Sequence, residues 1–404
     1  MHLNFIKNTV LLFVLTLLSC GNHSGSQARK PIYREVPSIL VGAQHLESYL
    51  PILKNKNIGI VANQTSVIFK ETGYTHLVDS LLSLNIRIKK VFAPEHGFRG
   101  TADAGEYVKD GVDADSGVPI VSLYGANKKP DAQTLKDLEV IIFDVQDVGA
   151  RFYTFLSTLH FMMKTCANLG ISVLVLDRPN PNGHYVDGPI LDLKYSSFVG
   201  MHAVPIVHGM TVGEYAKMIN GEGWLTGGIQ CDLTVIPVQN YTHQSVYELP
   251  IKPSPNLPNA KAINLYPSLC LFEGTHVSMG RGTETQFQVF GSPFLEHPDY
   301  AYEFTPMPNV GAKYPVHENK LCKGLNLQNQ DTLDYIELKW LIDAYQNTSD
   351  KSAFFNPFFT KLAGQKILQE QIETGWTADQ IRESWREGLE TYKLLRAPYL
   401  LYPL

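Results

Sequence analysis

The sequence lacks the periodic and charge-rich patterns that mark several large protein classes. Its 404 residues contain no Gly-X-Y period, no long heptad run and no internal repeat, which excludes collagen, coiled coils and repeat arrays. Wholesale disorder is excluded as well, because 44% of the residues are hydrophobic. No dense Lys/Arg run is present and the formal net charge is −5, so nucleic acid is not expected as a partner.

Motifs of several enzyme and cofactor classes are also missing. The chain has no GxGxxG or GxxxxGK[ST] loop, and we therefore expect no bound nucleotide. It has no HExxH, no CxxC and no other paired metal-ligand spacing, so we expect neither a metal nor another cofactor. A GxSxG elbow is absent, which argues against a serine hydrolase of the α/β-hydrolase type.

A short hydrophobic run at the N-terminus is typical of an export signal. Lys7 precedes an apolar stretch over 9–18, which is shorter than the roughly 20 residues of a membrane-spanning helix. The stretch ends at Leu-Leu-Ser-Cys, which resembles the bacterial lipobox and makes Cys20 the predicted lipidation site. The alternative is a soluble secreted protein whose signal happens to contain a cysteine.

The lipobox predicts how this chain is processed and where it is located. We expect a signal peptide over 1–20, a flexible tether over 21–38 and a lipid that holds the chain to the membrane. The expected location is the bacterial cell envelope, on the periplasmic or outer-membrane side. Four cysteines then remain, and because no two are spaced as CxxC we expect buried free thiols: Cys166, Cys231, Cys270 and Cys322.

Apolar strands alternate with helical segments between 56 and 238, the pattern of a parallel sheet covered on both faces. Four prolines within 249–258 indicate a semi-rigid connector and a domain boundary. Beyond it, 269–295 is predicted to be rich in strands and 365–395 to be helical, with Thr377 or Asp379 as the N-cap. The predicted strands are 56–63, 86–92, 119–123, 140–145, 172–177 and 231–238, and the helices 74–84, 131–138, 155–169 and 211–220.

Polar side chains follow the predicted strands, at the sheet edge where ligands bind in open parallel α/β folds. Glu95 is the strongest candidate, because a proline and two glycines shape its loop and His96 and Arg99 lie beside it. The alternative is a structural loop held by an Arg–Glu pair. The strand-end residues are Asn63, Glu95, Asp144 and Asp177.

The loops after two later strands allow functional and structural interpretations. Asp144, Asp147 and Arg151 could bind hydroxyl groups or orient a catalytic acid, whereas Asp147 could simply cap the following helix. Asn180 could contact an amide or a sugar hydroxyl, or it could only form a turn.

A second acidic residue lies beyond the connector. Glu273 precedes a segment over 278–285 that is dense in glycine and hydroxyl residues. An acid from each of two domains, facing across a cleft, is the arrangement expected of glycoside hydrolysis. One acid would protonate the leaving oxygen, and the other would stabilise or attack the anomeric centre or activate water.

Six ordered segments together resemble one family, the NamZ-type exo-β-N-acetylmuramidases, also labelled DUF1343. The resemblance runs from about residue 40 to the C-terminus. It implies a Rossmann-like parallel-sheet N-terminal domain over 39–255, a smaller α/β domain over 256–404, an active site in the cleft between them, and no nucleotide. The segments are IGIVANQTS, FAPEHGFRGTADAGE, FDVQDVGARFYT, LDRPNPNG, VPIVHGMTVGEYA and LFEGTHVSMGRGTE.

The same resemblance implies a substrate and catalytic residues. Members of the family release N-acetylmuramic acid from the non-reducing end of peptidoglycan fragments such as MurNAc-GlcNAc, in cell-wall turnover or scavenging. The PEHG motif implies a catalytic acid at Glu95, and the FEGT motif implies the second carboxylate at Glu273, with Glu284 as a fallback.

Substrate contacts are expected from these motifs and from Tyr266, and an arginine suits a bidentate grip on the lactyl carboxylate of muramic acid. Two alternatives stay open. The N-acetyl group of the substrate could act as an internal nucleophile, or the chain could be a sugar-binding lipoprotein without catalysis. The expected contacts are Asn63, His96, Arg99, Asp144, Arg151, Asn180, His208, Tyr266, Arg281 and Glu284.

Overall fold

Strands alternate with helices along the chain up to residue 236, as the sequence predicts. The computed structural model describes residues 38–98 and 110–404, so Cys20, Arg99, the predicted signal peptide and nearly all of the tether lie outside the described residues. Within these ranges the strands are β1 (Asn57–Ala62), β2 (Val67–Phe69), β3 (Tyr74–His76), β4 (Arg87–Ala93), β5 (Gly111–Val112), β6 (Pro119–Ser122), β7 (Val140–Asp144), β8 (Ser172–Leu176), β9 (Leu233–Ile236), β10 (Val289–Ser292), β11 (Tyr302–Phe304) and β12 (Cys322–Asn326). The α-helices are α1 (Leu46–Leu53), α2 (Leu77–Ser83), α3 (Ala132–Leu135), α4 (Phe155–Leu169), α5 (Val212–Gly221), α6 (Ala260–Leu269), α7 (Lys339–Asn347), α8 (Phe358–Ala363), α9 (Ile367–Glu373) and α10 (Ala378–Arg396).

Seven of these strands form one sheet in the order β5-β6-β4-β1-β7-β8-β9. All neighbouring strands are parallel except β5, which pairs antiparallel with β6 at the edge. From β1 the chain moves outward through β4 and β6, and then returns to β7, β8 and β9 on the other side. This is the strand order of a doubly wound, Rossmann-like sheet, and the predicted fold class is confirmed.

Both faces of the sheet are apolar, because most residues of the central strands are hydrophobic and alternate residues point to opposite faces. In β7, Val140 and Ile142 join one buried cluster, and Ile141 and Phe143 join the other. The first cluster packs against α1 and α2, whereas the second extends through α4, α5 and α6 to α10. The C-terminal helices therefore share a hydrophobic core with the sheet.

Two predictions of local structure are wrong. Tyr74–His76 is a strand that pairs with β2, and the helix begins only after His76, whose Nδ1 accepts a hydrogen bond from the Val78 amide at 3.3 Å. Within 269–295 the chain forms a 3₁₀ helix at Cys270–Gly274 and a single strand, β10. Gly280 and Gly282, each at φ of 81°, place the residues between them in a loop.

Two other predictions, the free thiols and the cap of the long C-terminal helix, are confirmed by the structure. Cys166, Cys231, Cys270 and Cys322 are buried free thiols. Thr377 caps α10, where its hydroxyl and the Gln380 side chain form a capping box. No helix in the described ranges combines the length and apolar character needed to cross a membrane.

The proline-rich connector packs against the loops at the sheet edge. Gln64 Nε2 donates to the carbonyls of Lys252 and Pro253 at 3.1 and 3.0 Å, and the Tyr153 hydroxyl donates to Pro253 at 3.0 Å. Residues Ser38–Leu404 form one compact unit. The predicted division at 255/256 stays a prediction.

Arg151 joins segments that are far apart in the sequence. Its buried guanidinium donates through Nη1 to the carbonyls of Pro189 and Val204 at 2.8 and 2.7 Å. Through Nη2 it donates to the carbonyls of Leu362 and Ala363, at the end of α8, at 3.0 and 2.8 Å. The last carbonyls of a helix have no partner inside the helix, and the planar guanidinium supplies two donors there at once.

We expect Arg151→Met to lower the free energy of unfolding by about 2–4 kcal/mol, because several buried carbonyls lose their donor. Urea unfolding measures the change. Lys194→Met is the matched control, because it removes an exposed cation and should change stability by less than about 0.5 kcal/mol. Equal stability of the two variants would contradict the structural role of Arg151.

Candidate active site

Glu95 and Glu273 line the same cavity, which has a volume of about 560 Å³. This size lies within the roughly 300–1,000 Å³ of small-molecule sites. One wall comes from the loops after β4, β6 and β7, and the other comes from segments beyond the connector. The lining includes Glu95, His96, Tyr124, Lys128, Phe152, Tyr153, Thr154, Phe198, Ser254, Asn256, Tyr266, Cys270, Glu273, Met279, Arg281, Phe287, Tyr314, Lys361 and Leu362.

A tight turn directly after β4 carries Glu95. The Gly97 amide donates to the Pro94 carbonyl at 3.0 Å and closes the turn. His96 has a φ of 72°, a left-handed conformation that is costly for a residue with a Cβ. The strained residue is therefore next to the predicted catalytic acid, at the point where the chain leaves the sheet.

Two hydroxyl groups hold the Glu95 side chain. Thr154 Oγ1 donates to Glu95 Oε2 at 2.6 Å. Thr154 is the N-cap residue of α4, yet its side chain makes no capping bond. Burial, followed by the charge and hydrogen bond of Glu95, raises the pKa of Tyr124, so the phenol stays protonated and can donate.

Glu273 lies on the 3₁₀ helix Cys270–Gly274 and is paired with Arg281. Arg281 Nη2 donates to Glu273 Oε1 at 2.6 Å, and both side chains are about one-quarter exposed, at 21% and 24%. Burial alone would lower the pKa of Arg281, but the Glu273 carboxylate outweighs it and raises that pKa. A Cβ on Gly282 would lie 2.7 Å from the Met307 carbonyl oxygen, so the arginine loop requires glycine there.

Aromatic rings form the apolar part of the cavity wall. The Tyr266 ring meets those of Phe152, Tyr153 and Phe287 edge to face, with centroids 5.3, 5.9 and 5.0 Å apart. Apolar faces beside a few polar groups suit a ligand that is itself amphipathic, such as a sugar ring.

The two carboxylates share one electrostatic environment. Both Glu95 and Glu273 contribute to the raised pKa of Tyr124, after burial. Both also contribute to the raised pKa of the Cys270 thiol, for which burial is again the largest cause. Two acids on opposite walls of one cavity can act on the two sides of a glycosidic bond.

Other predicted site residues are buried outside the cavity. Asn63 Oδ1 accepts from the amide and hydroxyl of Thr65 at 2.9 and 2.6 Å, which forms a turn after β1. Asn180 Oδ1 accepts from the Asn182 amide at 2.8 Å, and its Nδ2 donates to the Met210 carbonyl at 2.9 Å. Asn180 therefore forms a turn, which is the structural alternative that the sequence offered for it.

Asp144 forms a buried ion pair with Arg178. Arg178 Nε lies 2.6 Å from Asp144 Oδ1, and Nη2 lies 3.0 Å from Oδ2. A buried carboxylate needs such a partner, and this one ties β7 to the loop after β8. Arg151 is bound to carbonyls, as described above, and the ring of His208 is fully buried, with Nδ1 accepting from the Met210 amide at 3.2 Å.

Glu284 is exposed and does not line the cavity. The structure thus brings together Glu95, His96, Tyr266, Glu273 and Arg281, and it places Asn63, Asp144, Arg151, Asn180, His208 and Glu284 elsewhere. Polar residues at strand ends can turn inward to bind the loops, and sequence position alone does not separate these from residues facing a ligand.

Sequence reasoning also missed cavity residues. Tyr124 follows the end of β6 just as Glu95 follows β4, so the strand-end rule could have found it. Thr154 closes the FDVQDVGARFYT motif. Lys128 and Phe198 lie in irregular segments and meet only in the tertiary structure.

Comparisons with known proteins show the family of this chain. Family models described as exo-β-N-acetylmuramidase NamZ, N-terminal and C-terminal, match residues 58–261 and 264–402. The chain belongs to the NamZ exo-β-N-acetylmuramidase family. A peptidoglycan β-N-acetylmuramidase NamZ from Bacillus subtilis strain 168 is 33% identical over 421 residues, which cover 98% of each chain.

Crystal structures of two DUF1343 family proteins from Bacteroides fragilis NCTC 9343 share the fold of this NamZ family member. One is 49% identical, with a TM-score of 0.82, and covers 91% of this chain and 99% of its own. The other is 26% identical, with a TM-score of 0.77, and covers 91% of this chain and 100% of its own.

Asp147 caps no helix. Its Oδ2 accepts from the Gly149 amide at 2.7 Å and lies 3.9 Å from His208 Nε2, whereas its buried Oδ1 has no partner among the described residues. Burial raises the pKa of Asp147 to about 7 and lowers the pKa of His208 to about 3. The imidazole is therefore neutral and does not compensate a charge on Asp147.

We expect Asp147→Asn to stabilise the protein near pH 7.5 by on the order of 1–3 kcal/mol and to have little effect near pH 4. The folded-state pKa of about 7 exceeds the unfolded value of 3.8, so the folded chain binds more protons and loses stability as the pH rises between them. Urea unfolding at both pH values measures this. An equal change in the free energy of unfolding at both pH values would contradict the raised pKa of Asp147.

Proposed function

We propose that this chain is an exo-acting glycoside hydrolase that releases N-acetylmuramic acid from the non-reducing end of peptidoglycan fragments such as MurNAc-GlcNAc. Its family membership supports the substrate class. The observation that carries the proposal is that Glu95 and Glu273 reach one cavity from segments on either side of the connector. The activity would serve cell-wall turnover or scavenging.

Glu95 is the proposed general acid. The Thr154 hydroxyl fixes its Oε2, and the turn after β4 fixes its backbone, so the carboxyl group has a defined position. The Thr154 and Tyr124 hydroxyl groups contact its carboxyl group, and the proposed role of that group is to donate a proton to the leaving oxygen.

Glu273 is the proposed second carboxylate. Arg281 Nη2 lies 2.6 Å from its Oε1, and the proposed role of this carboxylate is to stabilise positive charge at the anomeric carbon. Arg281 is itself held over the Phe287 ring, with its guanidinium carbon 5.3 Å from the centroid. The pair thus holds the Glu273 carboxylate in a defined position in the cavity.

We expect Glu95→Gln and Glu273→Gln each to lower kcat/KM for MurNAc-GlcNAc by about 10²- to 10⁴-fold, because an amide neither donates the proton nor carries the charge. Mass spectrometry of released N-acetylmuramic acid measures the rate. Near-ultraviolet circular dichroism checks that the fold is retained.

Glu284→Gln is the matched control, since it makes the same change at an exposed position outside the cavity. We expect its rate to equal that of the wild type. Full activity of Glu95→Gln would contradict the proposed acid. If Glu284→Gln loses activity while Glu273→Gln stays active, the second carboxylate is Glu284 and not Glu273.

We further propose that the chain is exported and held at the cell envelope, on the periplasmic or outer-membrane side, by acyl groups on Cys20. The supporting features are the short apolar run over 9–18 and the Leu-Leu-Ser-Cys sequence that ends it. One acyl chain binds membranes only marginally, whereas two or more give stable anchoring.

We expect the full chain, produced in a bacterial host fed labelled palmitate, to carry the label and to sediment with membranes. Cys20→Ser should abolish both, because the acyl groups have no attachment site. Cys231→Ser, which alters a buried thiol, should leave both unchanged. A labelled Cys20→Ser variant, or an unlabelled wild-type chain, would contradict the anchor.

A further inference from the structure

We infer that Lys128 forms a carboxylate-binding subsite in the cavity and contacts the lactyl carboxylate that distinguishes N-acetylmuramic acid from N-acetylglucosamine. The inference rests on the proposed function, since the muramic acid residue must enter this cavity. It names the residue that makes the site selective for an acidic sugar.

The arginines that the sequence suggests for this carboxylate already have partners where the structure describes them. Arg151 donates to four backbone carbonyls and does not line the cavity. Arg281 lines the cavity but is bound to Glu273 at 2.6 Å. A substrate carboxylate could bind Arg281 only in competition with the second catalytic candidate.

Lys128 differs from both arginines, because it lines the cavity and forms no ion pair with any described residue. Its Nζ lies 4.6 Å from the centroid of the Phe198 ring and 5.7 Å from that of Tyr124. The ring faces attract the ammonium group but accept no strong hydrogen bond. The three N–H donors of the lysine therefore remain available to a ligand.

The position of Lys128 fits the chemistry of the sugar. One of the rings beneath it belongs to Tyr124, whose hydroxyl is hydrogen-bonded to Glu95. Lys128 and the proposed acid thus lie one side chain apart. In muramic acid the lactyl ether is on C3, two ring positions from the anomeric carbon, so a sugar bound at Glu95 presents its carboxylate close by.

A cation in the cavity also suits an acidic substrate. The Glu273 carboxylate lines the cavity, and a substrate that brings a second carboxylate is repelled unless positive charge offsets both. Arg281 offsets one. Lys361 also lines the cavity, but it is exposed, so water and salt screen it more strongly than the half-buried Lys128.

Titration calorimetry tests the subsite with three sugars: N-acetylmuramic acid, its lactyl carboxamide and N-acetylglucosamine. We expect the wild-type chain to bind the acid roughly 10- to 100-fold more tightly than the carboxamide, the effect of a hydrogen bond to a charged group. Lys128→Met should reduce binding of the acid to the carboxamide level and leave the other two sugars unchanged. Lys128→Arg should retain much of the preference.

Two lysine variants serve as controls. Lys129→Met alters the exposed neighbour that does not line the cavity, and it should keep the wild-type preference. Lys361→Met should also keep it. The inference is overturned if Lys128→Met retains the preference for the acid, if it weakens all three sugars equally, or if the wild type shows no preference.

Hydrolysis of MurNAc-GlcNAc by the wild-type chain separates this inference from the proposed function. If the preference for the acid depends on Lys128 but the disaccharide is not cleaved, the subsite stands and the proposed activity fails. If the disaccharide is cleaved without any preference for the acid, the activity stands and the subsite fails.

Discussion

The hydrogen bonds of buried Arg151 to four carbonyls are the interaction on which the cavity depends. Arg151 directly precedes Phe152, which lines one wall, and it binds the carbonyl of Leu362, which lines the other. A buried cation without a carboxylate partner is tolerated only where hydrogen bonds replace its hydration. Here those bonds connect the segment that carries Phe152 to the end of α8, so one buried side chain joins two parts of the cavity lining.

The polar residues at the strand ends divide between two tasks. Asn63, Asp144 and Asn180 turn inward, where they satisfy loop amides or pair with Arg178. Glu95 instead lies at the end of β4 with its carboxylate against hydroxyl donors on the cavity wall. The inward-facing residues make the loops rigid, and a rigid loop keeps an acid in the position that proton transfer requires.

Within the cavity, each charge has a distinct neighbour. Among the described residues, the Thr154 hydroxyl contacts Glu95, Arg281 pairs with Glu273, and Lys128 lies over aromatic rings. A glycoside hydrolase uses one acid to donate a proton and a second carboxylate at the anomeric centre, and the different neighbours of Glu95 and Glu273 fit these two proposed roles. The lysine adds a third function, recognition of an acidic sugar, without disturbing either acid.

The sequence by itself determined the parallel sheet, the buried thiols, the family and the two candidate acids, because apolar periodicity and contiguous motifs are local properties. Position at a strand end alone could not separate Glu95 from Asp144, since both follow a buried strand. Only the tertiary structure decided that Asp144 pairs with Arg178, 34 residues away, and that Arg151 binds carbonyls more than 200 residues away. The contact between Lys128 and the Phe198 ring is likewise made only in the tertiary structure. These contacts depend on how distant segments pack, and no spacing along the chain encodes which polar side chains are buried as partners and which face the ligand.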